Sequence, residues 1–172
     1  AAPANSRLGP FWRSNFDSRV ELVYLNGATT PATAVNGDRM HFVLPDSIEY
    51  SFVLNGGVWK PVLPRKHATD ATRIIWDLYR TDIDIAVTGS SSGVVLRLEN
   101  GDKYSFNLVG LLTRIDFTDG YSQVLAYSGD VNTQVTDSFG RTLTFTYEDD
   151  FAKSGLLKTL TTPDGQTTSY SY

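Results

Sequence analysis

Cysteine is absent from the 172 residues. That excludes a disulfide framework, thiolate metal sites and a cysteine nucleophile, and it leaves the compartment open. No apolar run approaches the ~20 residues that a membrane-spanning helix needs. The N-terminus lacks the basic-then-apolar order of a signal peptide. Clustered Lys and Arg are missing too; the nearest approach is the pair Arg65-Lys66, in a chain of net charge −4. Neutralising a phosphate backbone takes a basic cluster, so nucleic acid is discounted as a partner. Histidine is scarce: His41 and His67 lie in different segments, and no G-x-S-x-G elbow is present. A serine triad would need one of them beside a serine and an acid, and no such set is legible along the chain.

What is there reads as an ordinary folded chain. Hydrophobic residues make up 41% and charged residues 20%, a globular rather than a disordered balance. The length suits one domain, or one domain and the start of another. Such a chain buries roughly 70% of its unfolded surface, so a core is feasible.

Turn signals are dense. Asn26-Gly27, Asn36-Gly37, Asn55-Gly56-Gly57, Asn100-Gly101, Asp119-Gly120 and Asp164-Gly165 are hairpin dipeptides, built from residues that tolerate the positive φ of a type I′ turn. Between them lie runs of strand formers, Val20–Leu25, Met40–Leu44, Tyr50–Leu54, Val94–Leu98 and Lys103–Leu108. Strand, turn, strand at this spacing predicts an all-β antiparallel meander. Ala68 to Arg80 reads both ways. Ile74, Ile75, Leu78 and Tyr79 make an apolar helical face, while the β-branched and aromatic residues of the same stretch suit a strand.

The C-terminal third repeats itself. Seven residues after Gly120, Gly140 and Gly165 stand Tyr127, Tyr147 and Tyr172. Five after stand Leu125, Phe145 and Tyr170; five before, Ile115, Val135 and Leu160; eight before, Leu112, Asn132 and Leu157, with Asn132 the one break. Gly101, followed by Phe106, is a weaker earlier copy. Each unit is strand, glycine turn, strand. In Thr142-Leu143-Thr144-Phe145-Thr146-Tyr147 the alternation puts Leu143, Phe145 and Tyr147 on one face and the threonines on the other. A lone hairpin is marginal, so the units must lie edge to edge in a growing strip. The strip stops at the strand of Tyr172 with no capping segment after it, and the expectation is that the natural protein continues.

These residues resemble a known family. Val135 to Tyr147, VTDSFGRTLTFTY, is similar to the Rhs/YD-repeat pattern of a glycine, often an arginine, and alternating residues to a tyrosine. Thr161 to Tyr172 is a second copy. Leu98 to Gly120 resembles upstream units, and Gly9 to Leu22, GPFWRSNFDSRVEL, resembles the segment that precedes the repeats. The Tyr-Asp dipeptide that names the repeat is absent: Tyr147 is followed by Glu148 and Tyr127 by Ser128. The resemblance implies a β-strip that spirals into a hollow shell, with residues 1–93 leading in and 94–172 forming the first repeats. It implies a shell that encloses a C-terminal toxin in bacterial polymorphic toxins, or a cell-surface module that binds carbohydrate or protein in other relatives. The implied partners are the remainder of the shell and the enclosed toxin, or a glycan or surface protein, and the implied location is secreted or cell-surface. Gly101, Gly120, Gly140, Gly165, Tyr127, Tyr147 and Tyr172 are the structural repeat positions. The family's self-cleavage motif has no match here.

Other residues support bland readings better than chemical ones. Asp82 and Asp84 share a face if extended, as an acid–base or calcium pair would, but Ile85 and Ala86 interrupt any calcium-loop pattern. Glu148-Asp149-Asp150 reads as a charged loop. Trp12, Trp59 and Trp76 are candidates for stacking on sugars, though aromatics on strands more often pack a sheet face. No catalytic, cofactor or metal residue is assigned.

Overall fold

A computed structural model describes residues 14, 16–25, 27–45, 48–66, 74–148 and 155–171. These residues form two antiparallel sheets in strict chain order. The first contains β1 (Arg19–Val23), β2 (Arg39–Val43), β3 (Glu49–Asn55), β4 (Val58–Lys66) and β5 (Ile74–Tyr79). The second contains β6 (Ala86–Gly89), β7 (Gly93–Arg97), β8 (Lys103–Asn107), β9 (Leu112–Asp116), β10 (Ser122–Ser128), β11 (Val131–Asp137), β12 (Thr142–Tyr147), β13 (Leu157–Thr161) and β14 (Thr167–Ser169). The only helical turn among the described residues is a short 3₁₀ piece at Pro31–Thr33. The all-β expectation therefore holds. Of the stretch that read both ways, Ile74–Tyr79 is a strand, and Ala68 to Arg73 lie outside the described residues.

The sheets pack face to face through their alternate residues. Val20, Met40, Phe42, Phe52, Leu54 and Trp59 of the first sheet and Val94, Leu96, Phe106, Leu112, Ile115, Leu125 and Val135 of the second form one buried cluster. Phe42 joins the halves, edge-on to Phe52 at 5.6 Å and to Phe106 at 5.5 Å. A backbone seam reinforces them where Val20 N–H donates to the Gly110 carbonyl at 3.0 Å. A Cβ at Gly110 would fall 2.1 Å from the Val20 carbonyl oxygen, so only glycine lets the chains approach this closely.

The other face of the first sheet is covered as well. Val43, Ser51, Val53 and Val62 are buried there. β5 carries two residues, Trp76 and Asp77, where β4 has only Pro64. Such a bulge re-aims a side chain, and Trp76 sits over this face with the Arg39 guanidinium 5.3 Å from its ring centre. Lys60 lies in the same way over Tyr79, at 5.4 Å.

The repeat register is the one the alternation predicts. Leu143 and Phe145 pack against the shared core, and Thr144 and Thr146 are exposed on the reverse. Val135 stands opposite both Leu125 and Leu143, and Phe145 opposite Leu160.

Candidate functional site

The repeats build two edges on the second sheet. At one edge the glycine turns line up, because alternate hairpin connections fall at the same end of a meander. In each turn the glycine N–H donates to the carbonyl three residues back: Gly101 to Leu98 (2.9 Å), Gly120 to Phe117 (3.1 Å), Gly140 to Asp137 (3.0 Å) and Gly165 to Thr162 (2.9 Å). The residue three before each glycine in turn donates its own N–H to the residue after it, at 2.9 Å in all four. This is the three-residue hairpin with one glycine at positive φ, here between +80° and +89°. It corrects the two-residue type I′ reading of Asn100-Gly101, Asp119-Gly120 and Asp164-Gly165. The type I′ pattern of two positive φ values occurs at Gly56-Gly57, between the paired Asn55 and Val58.

A side-chain oxygen caps each turn from one of two places. Before Gly101 and Gly120 it sits one residue back: Asn100 accepts from Asp102 N–H at 3.1 Å and Asp119 from Tyr121 N–H at 2.9 Å. Before Gly140 it sits three back: Asp137 accepts from the N–H groups of Phe139 and Arg141, both at 2.9 Å. The turns also interlock sideways, with the buried Asp102 accepting from Thr118 N–H at 3.0 Å and Ser138 N–H donating to the Ser122 carbonyl at 2.9 Å.

At the opposite edge each unit carries a bulge and, in two of them, a tyrosine lock. β9, β11 and β13 hold one extra residue, Thr113, Thr133 and Lys158, each seven before its glycine. The two threonine hydroxyls donate to the partner strand, Thr113 to the Ser105 carbonyl at 3.0 Å and Thr133 to the Ala126 carbonyl at 3.3 Å. Tyr127 donates to the Leu112 carbonyl at 2.7 Å, and Tyr147 to the Asn132 carbonyl at 2.5 Å, both spanning 15 residues. Asn132 breaks the apolar pattern harmlessly because the repeat uses its backbone oxygen. Burial pushes the Tyr127 hydroxyl well above its ordinary pKa, with help from the Asp17 charge and Tyr147. Tyr172, the third tyrosine of the series, lies outside the described residues.

The glycine edge is aromatic and acidic on its surface. Phe117 and Tyr121 lie 5.5 Å apart, Tyr121 and Phe139 6.1 Å apart, and the Arg141 guanidinium covers Phe139 at 5.3 Å. Arg141 also pairs with Asp137 at 2.6 Å. Burial works to raise the Asp137 carboxyl, but the N–H bonds from Arg141 and Phe139 and the guanidinium outweigh it and leave it below the usual range.

The candidates that chemistry would have used are dispersed. Asp82 and Asp84 bind different arginines, Arg80 and Arg97, each at 2.6 Å. Among the described residues no group of three His, Asp or Glu side chains could hold a metal. Glu148 meets Lys158 at 3.7 Å; Asp149 and Asp150 lie outside the described residues, as do Trp12 and His67. Trp59 is buried in the core and Trp76 lies under Arg39. The structure does bring together what the chain order hid: His41 Nδ1 is 2.9 Å from the Ser51 hydroxyl, and its Nε2 is 3.5 Å from Glu49. They meet because β2 and β3 place His41 opposite Ser51. Ser51 is only 6% exposed, and both strands are inner ones, whose N–H groups serve the ladder rather than a transition-state oxyanion. The contact ties two inner strands together. No protein-family model and no curated protein matches this chain.

Proposed function

We propose that the chain is a non-catalytic, shell-building segment of an Rhs/YD-repeat protein and acts by shape. In that reading it contributes to a β-shell around a C-terminal toxin in an exported bacterial polymorphic toxin. The observation that carries the proposal is the recurrent bulge at one edge. A bulge bends its strand and increases the local twist. Bulges recur at the same place in three successive units, facing plain turns at the other edge, and equivalent bulges give successive units the same local bend and twist. A strip that coils steadily can enclose a volume, whereas a flat one cannot. The tyrosine locks support the same reading, since they tie two of the three bulged strands, β9 and β11, to the next strand. Electron microscopy of the full gene product, with limited proteolysis, tests it. A hollow particle with a protease-protected C-terminal segment is expected; a solid particle with that segment freely cleaved overturns it.

A second reading, a surface module that binds a glycan or a protein, is favoured by the solvent-exposed Phe139 of the glycine edge. Glycan-array binding that is lost on Phe139→Ser supports its carbohydrate form, and a blank array removes that form.

A further inference from the structure

Phe139 occupies a position that turn chemistry reserves for a different residue. The place before the glycine favours Asn or Asp, and Asn100, Asp119 and Asp164 fill it in the other turns of this edge. At the Gly140 turn the capping oxygen has moved back to Asp137. The turn stays satisfied and the freed place shows a phenylalanine to solvent at 75% exposure. The same exchange recurs at the opposite edge, where Asn107 caps from three residues before Gly110 and Val109 is 78% exposed. Val109 lies beside the seam between the sheets. Phe139 instead ends an aromatic row with the half-buried Tyr121 and Phe117; the Arg141 guanidinium stands 5.3 Å from its ring centre, and most of the ring stays open to solvent.

Carboxylates outnumber cations on the turns around this row. The four turns of the edge carry Glu99, Asp102, Asp119, Asp137 and Asp164 against Arg141 alone. Asp102 is buried and Asp137 is taken by Arg141, which leaves the exposed carboxylates of Glu99, Asp119 and Asp164 spread along the turns. Lys103 stands next along the strand, opposite Asp116 of β9.

We propose that this edge is a docking surface for a basic polypeptide segment, one that sets an apolar or aromatic anchor against Phe139 and Tyr121 with Lys or Arg on either side. An exposed ring beside a half-buried one, with free carboxylates on the neighbouring turns, is the arrangement of an interface core with a charged rim. The core supplies most of the affinity, and the rim steers the approach and selects the charge of the partner. The inference rests on the second reading above and narrows it to a polypeptide; a shell without lumen would leave it standing, and a blank glycan array does not touch it.

The test titrates the intact chain with three synthetic peptides by calorimetry: a lysine-rich peptide with one central tryptophan, the same peptide with serine at the centre, and a glutamate-rich version of the first. The tryptophan peptide is expected to bind, more weakly as salt rises, and Phe139→Ser is expected to weaken it by about tenfold or more. Phe139→Ser keeps the backbone bonds of the turn, so an unchanged melting midpoint certifies its fold. Asp119→Asn should flatten the salt dependence while the anchor still binds. Equal binding of the serine-centred peptide, undiminished binding to the Phe139→Ser chain, or no binding of the tryptophan peptide overturns the proposal. So does binding of a neutral oligosaccharide through Phe139 in place of the peptide.

Discussion

The tyrosine locks can be tested one atom at a time. Tyr127→Phe removes only the hydroxyl that donates to the Leu112 carbonyl at 2.7 Å. Leu112 is fully buried, so water cannot easily replace the donor. An ordinary hydrogen bond contributes about 0.5–1.5 kcal/mol net, and a buried acceptor left unpaired costs about 1–3 kcal/mol. The expected loss is therefore about 1–2 kcal/mol, or a fall of about 2–8 °C in the melting midpoint for a chain of this length. Tyr147→Phe should behave alike, because its hydroxyl reaches the equivalent carbonyl of Asn132. Tyr121→Phe is the control: its bond to Asp137 is 3.4 Å and lies nearer the surface, so a change under about 0.5 kcal/mol is expected. An alkaline arm separates the hydroxyl from packing. The folded pKa of Tyr127 is raised above that of the unfolded chain. The stabilisation is thus fully present below about pH 10, the unfolded value, and is lost as pH rises through the folded value. Urea melts in steps from neutral to strongly alkaline pH should show wild type losing stability above pH ~10 and Tyr127→Phe losing less. If both Phe variants match wild type at neutral pH, the hydroxyls do not hold the bulged strands to their neighbours.

The two glycine roles should separate by size of effect. Gly110→Ala drives a Cβ to 2.1 Å from the Val20 carbonyl oxygen at φ +87°, and should cost more than about 3 kcal/mol in denaturant melts. Gly120→Ala has the same φ region but nothing within 4 Å, and should cost only about 1–2 kcal/mol of left-handed strain. Asp38 is fully buried and accepts the N–H groups of Leu25 and Val35, both at 2.8 Å. Asp38→Ala should cost about 2–4 kcal/mol, since two donors lose their partner, and Asp38→Asn, which keeps one oxygen, clearly less. Hydrogen bonds from Arg80, Arg97 and Arg114 hold the Asp82, Asp84 and Asp116 carboxyls below their usual pKa. Their stabilisation is present above the unfolded value of about 3.9 and is lost as pH falls through the lower folded values. The melting midpoint should hold from neutral pH to about pH 5 and drop below about pH 4, by a small amount that added salt reduces further, since exposed pairs contribute little.

Local pattern was enough to read the strands and the repeat. Val94–Leu98 and Lys103–Leu108 overlap β7 and β8 within a residue, and the sides taken by Leu143 and Thr144 follow from a period of two. Such features depend on neighbours along the chain, so the chain displays them. β4 stayed hidden because Pro61 and Pro64 argue against a strand. It forms because Pro61 lies opposite Phe52, its carbonyl accepts Arg80 N–H at 2.9 Å, and Pro64 falls at the bulge. Ile74–Tyr79 carried both patterns, and only pairing with β4 decided between them. The turn type was missed at three dipeptides because Asn-Gly and Asp-Gly suit both hairpins; the length of the loop, set by the register of the flanking strands, selects one. The meeting of His41 with Ser51, the clearance at Gly110, the bulges at Thr113 and Thr133, and the two tyrosine bonds join residues 7 to 90 positions apart. Composition and spacing along one strand cannot specify such contacts, because they arise only when the sheet register brings the second strand alongside. Alternation and repetition of strands follow from neighbours along the chain; which backbone oxygens Tyr127, Tyr147, Thr113 and Thr133 hold follows only from the register between strands.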